Sequence, residues 1–146
     1  MKRFHEDLKT ILLVDTSVNQ RLPIKWFLEN FGYVVDSVGN AEEALTVFDA
    51  VMHDMVITDL AIHGMTGTEV AHVIKLRSPS TPVVLYSRQT PEDASGFDAI
   101  VKKPQGTPVE RELLKLKETL DSLSGPSKGG RRSGGGKEPP RGRRRF

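Results

Sequence analysis

Five short apolar runs divide the first 123 residues, and they constrain the fold more than any other feature of the sequence. Runs of three or four residues with almost no polar member are typical of strands buried on both faces of a sheet. Between them lie stretches with apolar residues at helical spacing. Strands that alternate with helices predict an α/β fold, in which helices cover both faces of a parallel sheet. The predicted strands are 11–14, 33–35, 55–58, 83–86 and 99–101, and the predicted helices are 22–31, 41–48, 68–76 and 110–123.

Three local signals place the ends of the first two helices. We expect Pro23 to lie in the first turn of its helix, where a missing N–H costs least. Gly32 is a favourable residue for ending that helix. Asn40 and Glu43 have the spacing of a capping box, which predicts that the second helix begins directly after Asn40.

The charge is divided between two parts of the chain. Residues 124–146 contain eight basic residues and one acid, and therefore carry a net charge of +7. Because the whole chain carries +2, residues 1–123 carry −5. The basic segment holds seven of the thirteen glycines and a single large apolar residue, Phe146. Such a segment cannot bury enough surface to offset the entropy of ordering, so we predict one domain (1–123) followed by a disordered tail (124–146).

The tail has two interpretations that the sequence leaves open. It either contacts a polyanion, such as RNA, DNA, an anionic membrane or an acidic protein, or it is a solubilising extension. No run of about 20 apolar residues predicts a membrane span, and the first residues lack the apolar stretch of a signal peptide. With no cysteine there is no disulfide framework, and we expect a cytoplasmic protein.

Four polar residues lie at the ends of predicted strands: Asp15, Asp59, Ser87 and Lys103. Ligands of open parallel sheets bind outside the carboxyl ends of the strands, so we expect these side chains to share one site. Carboxylates bind Mg²⁺ and can accept a phosphoryl group, whereas an ammonium and a hydroxyl can hold its oxygens. The dinucleotide-binding, P-loop and nucleophile-elbow motifs are absent from the sequence, so we expect neither a hydrolase nor a dinucleotide enzyme.

Residues 57–67 resemble the phosphoacceptor segment of the receiver domain of two-component response regulators, and the resemblance extends over nearly all of residues 8–123. It implies a flavodoxin-like, doubly wound sheet with strand order 2-1-3-4-5. It further implies that Asp59 is the phosphoacceptor and that Ser87 carries the switch hydroxyl. Lys103 matches the lysine that precedes a proline in the family, and the peptide bond between that lysine and proline is usually cis. The implied Mg²⁺ ligands are Asp15, Asp59 and the backbone carbonyl of Ala61.

Several positions depart from the family pattern. Thr16 replaces the second acidic residue after the first strand, which should weaken Mg²⁺ binding because ligand charge helps to set affinity for hard cations. His63 stands where the acceptor loop usually has proline, and Ile100 replaces the aromatic switch residue. Arg88 replaces a small residue after the switch hydroxyl, where it would either obstruct the acceptor or hold the phosphate.

The largest departure is the length of the segment between Ser87 and Lys103. It has fifteen residues, whereas a full helix with two connections takes about twenty. Pro91 is able to start a helix there, but Gly96 would end it within about two turns. We therefore predict that the fourth helix of the family is shortened or absent.

Two functions remain open from the sequence. The first is a stand-alone receiver that accepts a phosphoryl group on Asp59 from a histidine kinase or phosphotransfer protein and signals to a downstream protein by contact. The second is a degenerate receiver that binds partners without phosphorylation, as Thr16, Arg88 and Ile100 suggest. Nucleic-acid or other polyanion binding by residues 124–146 is compatible with both.

Overall fold

The computed structural model describes residues 9–124. Five parallel strands form one sheet in the order β2-β1-β3-β4-β5, which confirms the predicted class and strand order. In chain order the elements are β1 (Thr10–Val14), α1 (Val18–Glu29), β2 (Val34–Val38), α2 (Ala41–Val51), β3 (Met55–Thr58), α3 (Gly67–Arg77), β4 (Val83–Ser87), β5 (Ala99–Lys102) and α4 (Glu110–Ser124).

The helices cover the sheet on both faces, and each face has its own apolar core. Helices α1 and α4 pack on one face, and α2 and α3 pack on the other. Strands β1, β3 and β4 lie inside the sheet and are buried on both sides, as their apolar runs predicted. The first core contains Ile24, Phe27, Leu28, Leu113, Leu116 and Leu120, and the second contains Ala44, Phe48, Val70, Ala71 and Ile74.

The register of the central strands brings two carboxylates to the same level. Val14 of β1 is paired with Thr58 of β3, so the residues that follow them, Asp15 and Asp59, leave the sheet side by side. Ser87 of β4 is paired with Lys102 of β5, which places Lys103 one residue beyond. The carboxyl edge of the sheet therefore holds all four polar residues selected from the sequence.

Helix α1 begins earlier than predicted. The carbonyl of Ser17 accepts hydrogen bonds from the backbone of Gln20 and Arg21 at 3.1 and 3.0 Å, so the helix is formed before Leu22. Pro23 consequently lies inside the helix, not in its first turn. Proline removes only one N–H from the helix ladder, and the buried face of α1 offsets that loss by packing on the sheet.

The second and third helices begin at capped residues. The Asn40 side chain accepts a hydrogen bond from the backbone N–H of Glu43 at 2.8 Å, as the sequence predicted for α2. Thr66 and Glu69 form a complete capping box at the start of α3. Such caps satisfy backbone donors that have no partner inside the helix.

The segment between β4 and β5 contains no helix, and all of its residues are described. It packs directly on the second core, with Phe97 against the apolar cluster and Pro91 buried. Gly96 lies so close to α3 that a Cβ atom there would come within 3.2 Å of the Ala71 side chain. The prediction of a shortened or absent fourth helix is confirmed, and Ile100 on β5 is left 48% exposed.

None of the helices in residues 9–124 combines the length and the hydropathy of a membrane-spanning segment. The predicted basic tail lies outside the described residues, except for Ser124 at the end of α4.

Candidate functional site

Three charged side chains meet at the carboxyl edge of the sheet. The Lys103 ammonium donates hydrogen bonds to Asp15 Oδ2 at 2.7 Å and to Asp59 Oδ2 at 2.8 Å. The three come from the ends of β5, β1 and β3, as their positions in the sequence predicted. The Lys103 side chain is only 2% exposed and that of Asp15 6%, whereas the Asp59 side chain is 20% exposed. Asp59 is therefore the member of the cluster that solvent and a reactant reach most easily.

The remaining carboxylate oxygens are held by the backbone. Asp15 Oδ1 accepts from the N–H of Ser17 at 2.9 Å, and Asp59 Oδ1 accepts from the N–H of Leu60 at 2.7 Å. Both carboxylates are thus fixed in orientation by a local donor and by the shared lysine.

Lys103 is buried but well compensated. Burying an ammonium costs several kcal/mol of desolvation in general, which is tolerated only with paired and hydrogen-bonded partners. Two carboxylates supply that pairing, and the Tyr86 ring lies 5.6 Å from the ammonium. The cluster of two carboxylates and one ammonium keeps one net negative charge, so it remains able to attract a cation.

Tyr86 lies beneath this cluster and was not selected from the sequence. Its hydroxyl is buried and has no hydrogen-bond partner among the described residues. Burial raises the pKa of Tyr86 to about 12, and the nearby Glu112 carboxylate acts in the same direction. Because Tyr86 ends an apolar strand run, the sequence pattern marked it only as a core residue.

Ser87 is buried at the edge of the site. Its hydroxyl accepts a hydrogen bond from the N–H of Gln89 at 3.1 Å, and its carbonyl accepts from the N–H of Lys103 at 2.9 Å. Within the described part of the chain, the Ser87 hydroxyl makes no hydrogen bond to Asp15, Asp59 or Lys103. The structure thus joins three of the four selected side chains directly and places the fourth beside them.

Thr16, which replaces the second acidic residue of the family pattern, connects neighbouring loops by hydrogen bonds. Its hydroxyl donates to the carbonyl of Gly39 at 3.1 Å and accepts from the N–H of His63 at 3.1 Å. It therefore links the loops that follow β1, β2 and β3. A carboxylate at this position has no proton to donate to Gly39, so the threonine fits these two partners better than an aspartate would.

The loop after Asp59 is tightly closed. The N–H of Gly67 donates to the carbonyl of Leu60 at 2.7 Å, and Ala61 faces Thr66 in an isolated antiparallel bridge. A Cβ atom on Gly67 would lie 2.2 Å from the carbonyl oxygen of Asp59, a distance that the backbone cannot accept. Glycine at this position is therefore needed for the loop to keep its shape. The imidazole-bearing residue of this loop, His63, is exposed.

The oxygen ligands at this site fit a hard cation, although the cluster that contains them has only one net negative charge. Asp15 and Asp59 each lie within 2.8 Å of the same ammonium, so their carboxylates are close enough to share one cation, and they supply the oxygen ligands that Mg²⁺ prefers. Within residues 9–124, no group of three acidic or histidine side chains is placed to hold a metal.

Arg88 is directed to the loop between β5 and α4. Its Nε donates to the carbonyl of Pro104 and its Nη2 to the carbonyl of Gly106, both at 3.0 Å. The guanidinium thus binds neutral backbone oxygens directly after Lys103. The Lys103–Pro104 peptide bond is trans, since no described peptide bond is cis, and this differs from the family pattern.

Gln20 and Arg21 also contact the site loops and were missed by the sequence analysis. Gln20 Nε2 donates to the carbonyl of Gly106 at 3.0 Å, and Arg21 Nη1 donates to the carbonyl of Asp15 at 3.1 Å. Both lie in the first turns of α1, which the predicted start at Leu22 had placed outside the helix. No local sequence signal marks this earlier helix start, so nothing in the sequence pointed to Gln20 or Arg21.

Comparison with known proteins assigns the family. A family model described as the response regulator receiver domain matches residues 11–106. The chain belongs to this family.

Solved structures agree with this assignment over the whole domain. The response regulator TrrA of Thermotoga maritima, solved in complex with Mg²⁺-BeF, has a TM-score of 0.71 and 30% identity, covering 80% of this chain and 99% of that one. The chemotaxis response regulator CheY4 of Vibrio cholerae has a TM-score of 0.67 and 25% identity, covering 77% of this chain and 98% of that one.

Curated relatives are longer than the matched region. The two-component response regulator PhoP of Pseudomonas aeruginosa is 32% identical over 100 residues, which are 64% of this chain and 44% of that protein. The sensory transduction protein RegX3 of Mycolicibacterium smegmatis is 29% identical over 113 residues, which are 73% of this chain and 48% of that protein. The chain thus spans less than half the length of these two relatives.

Proposed function

We propose that this receiver accepts a phosphoryl group on Asp59 in two-component signal transduction. The observation that carries the proposal is the geometry of Asp59 itself. It is the most exposed of the three clustered charges, and the Lys103 ammonium bonds one of its two carboxylate oxygens at 2.8 Å. A nucleophile must be both reachable and held in orientation, and Asp59 meets both conditions.

The proposed donor is a phosphohistidine on a histidine kinase or a phosphotransfer protein. A carboxylate oxygen of Asp59 attacks the phosphorus, the phosphorus–nitrogen bond breaks, and its electron pair returns to the imidazole, which takes up a proton. Lys103 neutralises part of the charge that gathers on the phosphoryl oxygens. The Ser87 hydroxyl, which now only accepts from Gln89, still has a proton to donate to one of these oxygens.

Asp15, Asp59 and the Ala61 carbonyl would hold Mg²⁺ in this proposal. The ion would offset the negative charge between Asp59 and the incoming phosphoryl group. Because Thr16 supplies no charge, we expect weaker binding than a third carboxylate would give.

The solved relative TrrA supports the partner class, since one of its structures is a complex with the histidine kinase ThkA. We place the chain in the cytoplasm, where such a kinase domain would meet it. The proposed output is a protein–protein contact, in which a downstream protein recognises the domain phosphorylated on Asp59.

The experiment is amide NMR of the full chain with Mg²⁺, recorded with and without beryllofluoride, which mimics a phosphoryl group on a carboxylate. Shifts at the amides of Leu60, Ser87 and Lys103 that vanish in Asp59→Asn would support the proposal. Glu42→Gln is a suitable control, because Glu42 is exposed in the first turn of α2 and the change removes one carboxylate outside the cluster. The absence of shifts at high Mg²⁺ would refute phosphoryl acceptance.

A second candidate is a binding module that works without phosphorylation. The observation in its favour is that each charged group of the cluster already has partners, with Lys103 shared between both carboxylates. Thr16 is likewise committed to Gly39 and His63. This candidate would be favoured if beryllofluoride shifts no amide signals of the chain and the Asp59→Asn variant still binds a partner protein.

The basic tail is proposed to contact a polyanion in either case. Its net charge of +7 predicts binding that weakens steeply as salt is added. Binding of the full chain to a fluorescent RNA or DNA strand between low and physiological salt tests this. Deletion after Ser124 should abolish binding, and binding that survives the deletion would refute a role for the tail.

A further inference from the structure

Arg88 joins the two strand ends that carry Ser87 and Lys103. It directly follows Ser87, and its side chain crosses to the loop that directly follows Lys103. The carbonyls of Pro104 and Gly106 each accept one hydrogen bond from it, both at 3.0 Å. One guanidinium therefore fixes the main chain on the far side of the buried lysine.

Other contacts make this link stiff. The N–H of Lys103 donates to the carbonyl of Ser87 at 2.9 Å, so the same two strand ends are also joined through the backbone. The carbonyl of Gly106 accepts a second hydrogen bond from Gln20 of α1 at 3.0 Å. Donors from β4 and α1 thus converge on one short loop.

Both hydrogen-bond partners of the Arg88 side chain are neutral backbone carbonyls. Among the ion pairs of residues 9–124, none includes Arg88. Its planar donors are used instead on two backbone oxygens, which any sequence of the loop would present. A salt bridge therefore does not explain the residue, whereas placement of the loop does.

We propose that Arg88 is a positioning residue of this site. It holds the β5–α4 loop so that the Lys103 ammonium stays between Asp15 and Asp59. When Asp59 is phosphorylated, Arg88 also transmits a movement of Ser87 to Gly106 and Gln20. This step rests on the proposed phosphoryl acceptance.

The physical reason is the steep distance dependence of hydrogen bonds. If Ser87 moves towards a group on Asp59, Arg88 moves with it, because the two residues are adjacent in the chain. Its bonds to Pro104 and Gly106 then either lengthen and weaken, or the loop follows. The segment after Arg88 contains no helix that would take up the movement instead.

The test uses the full chain and three variants. Arg88→Met removes every donor and keeps an apolar stem, and Arg88→Lys keeps the charge but loses the two-point planar contact. Arg77→Met is the matched control, since Arg77 ends α3 and pairs with the exposed Asp49. Two NMR signals are followed: the Lys103 ammonium in the free protein, and the Gln20 side-chain amide after addition of Mg²⁺ and beryllofluoride.

We expect a protected Lys103 ammonium signal in the wild type and in Arg77→Met, and its loss through fast exchange in Arg88→Met. Beryllofluoride should shift Leu60 and the Gln20 side chain in the wild type, but only Leu60 in Arg88→Met. The apparent affinity for beryllofluoride should fall about tenfold in Arg88→Met, which corresponds to about 1.4 kcal/mol. Arg88→Lys should keep less than half of the Gln20 shift.

Three results would overturn the inference. An unchanged Lys103 signal and Gln20 shift in Arg88→Met would show that the loop does not depend on Arg88. Full wild-type behaviour of Arg88→Lys would show that charge alone matters. If beryllofluoride shifts no signal in the wild type, the proposed phosphoryl acceptance is refuted. The positioning role is tested separately in the free protein, where an Arg88→Met variant that keeps its Lys103 ammonium signal would overturn it.

Discussion

Replacing Lys103 by methionine should destabilise the domain by leaving two carboxylates unpaired. The ammonium makes hydrogen bonds of 2.7 and 2.8 Å to Asp15 and Asp59, and its side chain is 2% exposed. Removing one partner of a buried ion pair costs about 3–5 kcal/mol in general. Because Asp59 is 20% exposed and solvent screens part of its charge, we expect the low end, about 3 kcal/mol.

The measurement is urea unfolding of the full chain, in which the transition midpoint should fall while its slope stays constant. Lys102→Met is the matched control, because this exposed neighbour on β5 has a side chain outside the cluster. A surface change of that kind should alter the free energy of unfolding by less than about 0.5 kcal/mol. Mg²⁺ should restore part of the stability of Lys103→Met, since two unpaired carboxylates attract a divalent cation.

A small effect would refute this account of the site. If Lys103→Met and Lys102→Met lower the free energy of unfolding equally, the lysine does not hold the two carboxylates together. If Lys103→Met is destabilised but insensitive to Mg²⁺, the carboxylates are not placed to share a cation.

Further expectations concern single residues near the site. Thr16→Asp should tighten Mg²⁺ binding, read by titration, while losing about 1–2 kcal/mol of stability with its two hydrogen bonds; weaker Mg²⁺ binding would contradict this. Gly67→Ala should cost at least about 2 kcal/mol, because its Cβ atom would meet the Asp59 carbonyl oxygen at 2.2 Å; a neutral result in thermal unfolding would show that the loop has room. Tyr86→Phe should be nearly neutral at pH 7, since the hydroxyl lacks a partner. The pKa of Tyr86 is raised from 10.0 to about 12 in the folded state, so its contribution is present below pH 10 and is lost as the pH rises from 10 to 12. Tyr86→Phe should therefore weaken the alkaline loss of stability, and an identical alkaline profile would contradict the burial of this hydroxyl.

The interior of the sheet was predictable because its strands are chemically simple. A strand buried on both faces must be apolar throughout, so β1, β3 and β4 are recognisable without any partner information. The β2 strand was predicted too short, because it continues into the polar residues Asp36 and Ser37. An edge strand accepts such residues, since one of its sides faces solvent.

The start of α1 was not predictable from local signals. Val18 and Asn19 are weaker helix formers than Leu22, and Pro23 suggested a helix that begins later. Packing of the helix face on the sheet overrides these preferences. The same error hid Gln20 and Arg21, whose contacts with the site loops depend on that first turn.

The composition of the site was predictable, but its connections were not. The order of strand ends identified Asp15, Asp59, Ser87 and Lys103, because parallel strands place their carboxyl ends on one edge. The sharing of Lys103 between two carboxylates depends on the register of β1 and β3. The partners of Arg88 depend on the shape of a loop sixteen residues further along the chain, which no local pattern encodes.

Phosphoryl transfer to Asp59 is the central claim, and mass measurement tests it most directly. The full chain is incubated with Mg²⁺ and a small phosphodonor such as phosphoramidate, and the reaction is quenched. The mass of the intact protein is then measured by mass spectrometry and compared with that of Asp59→Asn treated in the same way. The account predicts a gain of one phosphoryl group in the wild type and none in the variant. No gain in the wild type, or an equal gain in Asp59→Asn, would contradict it.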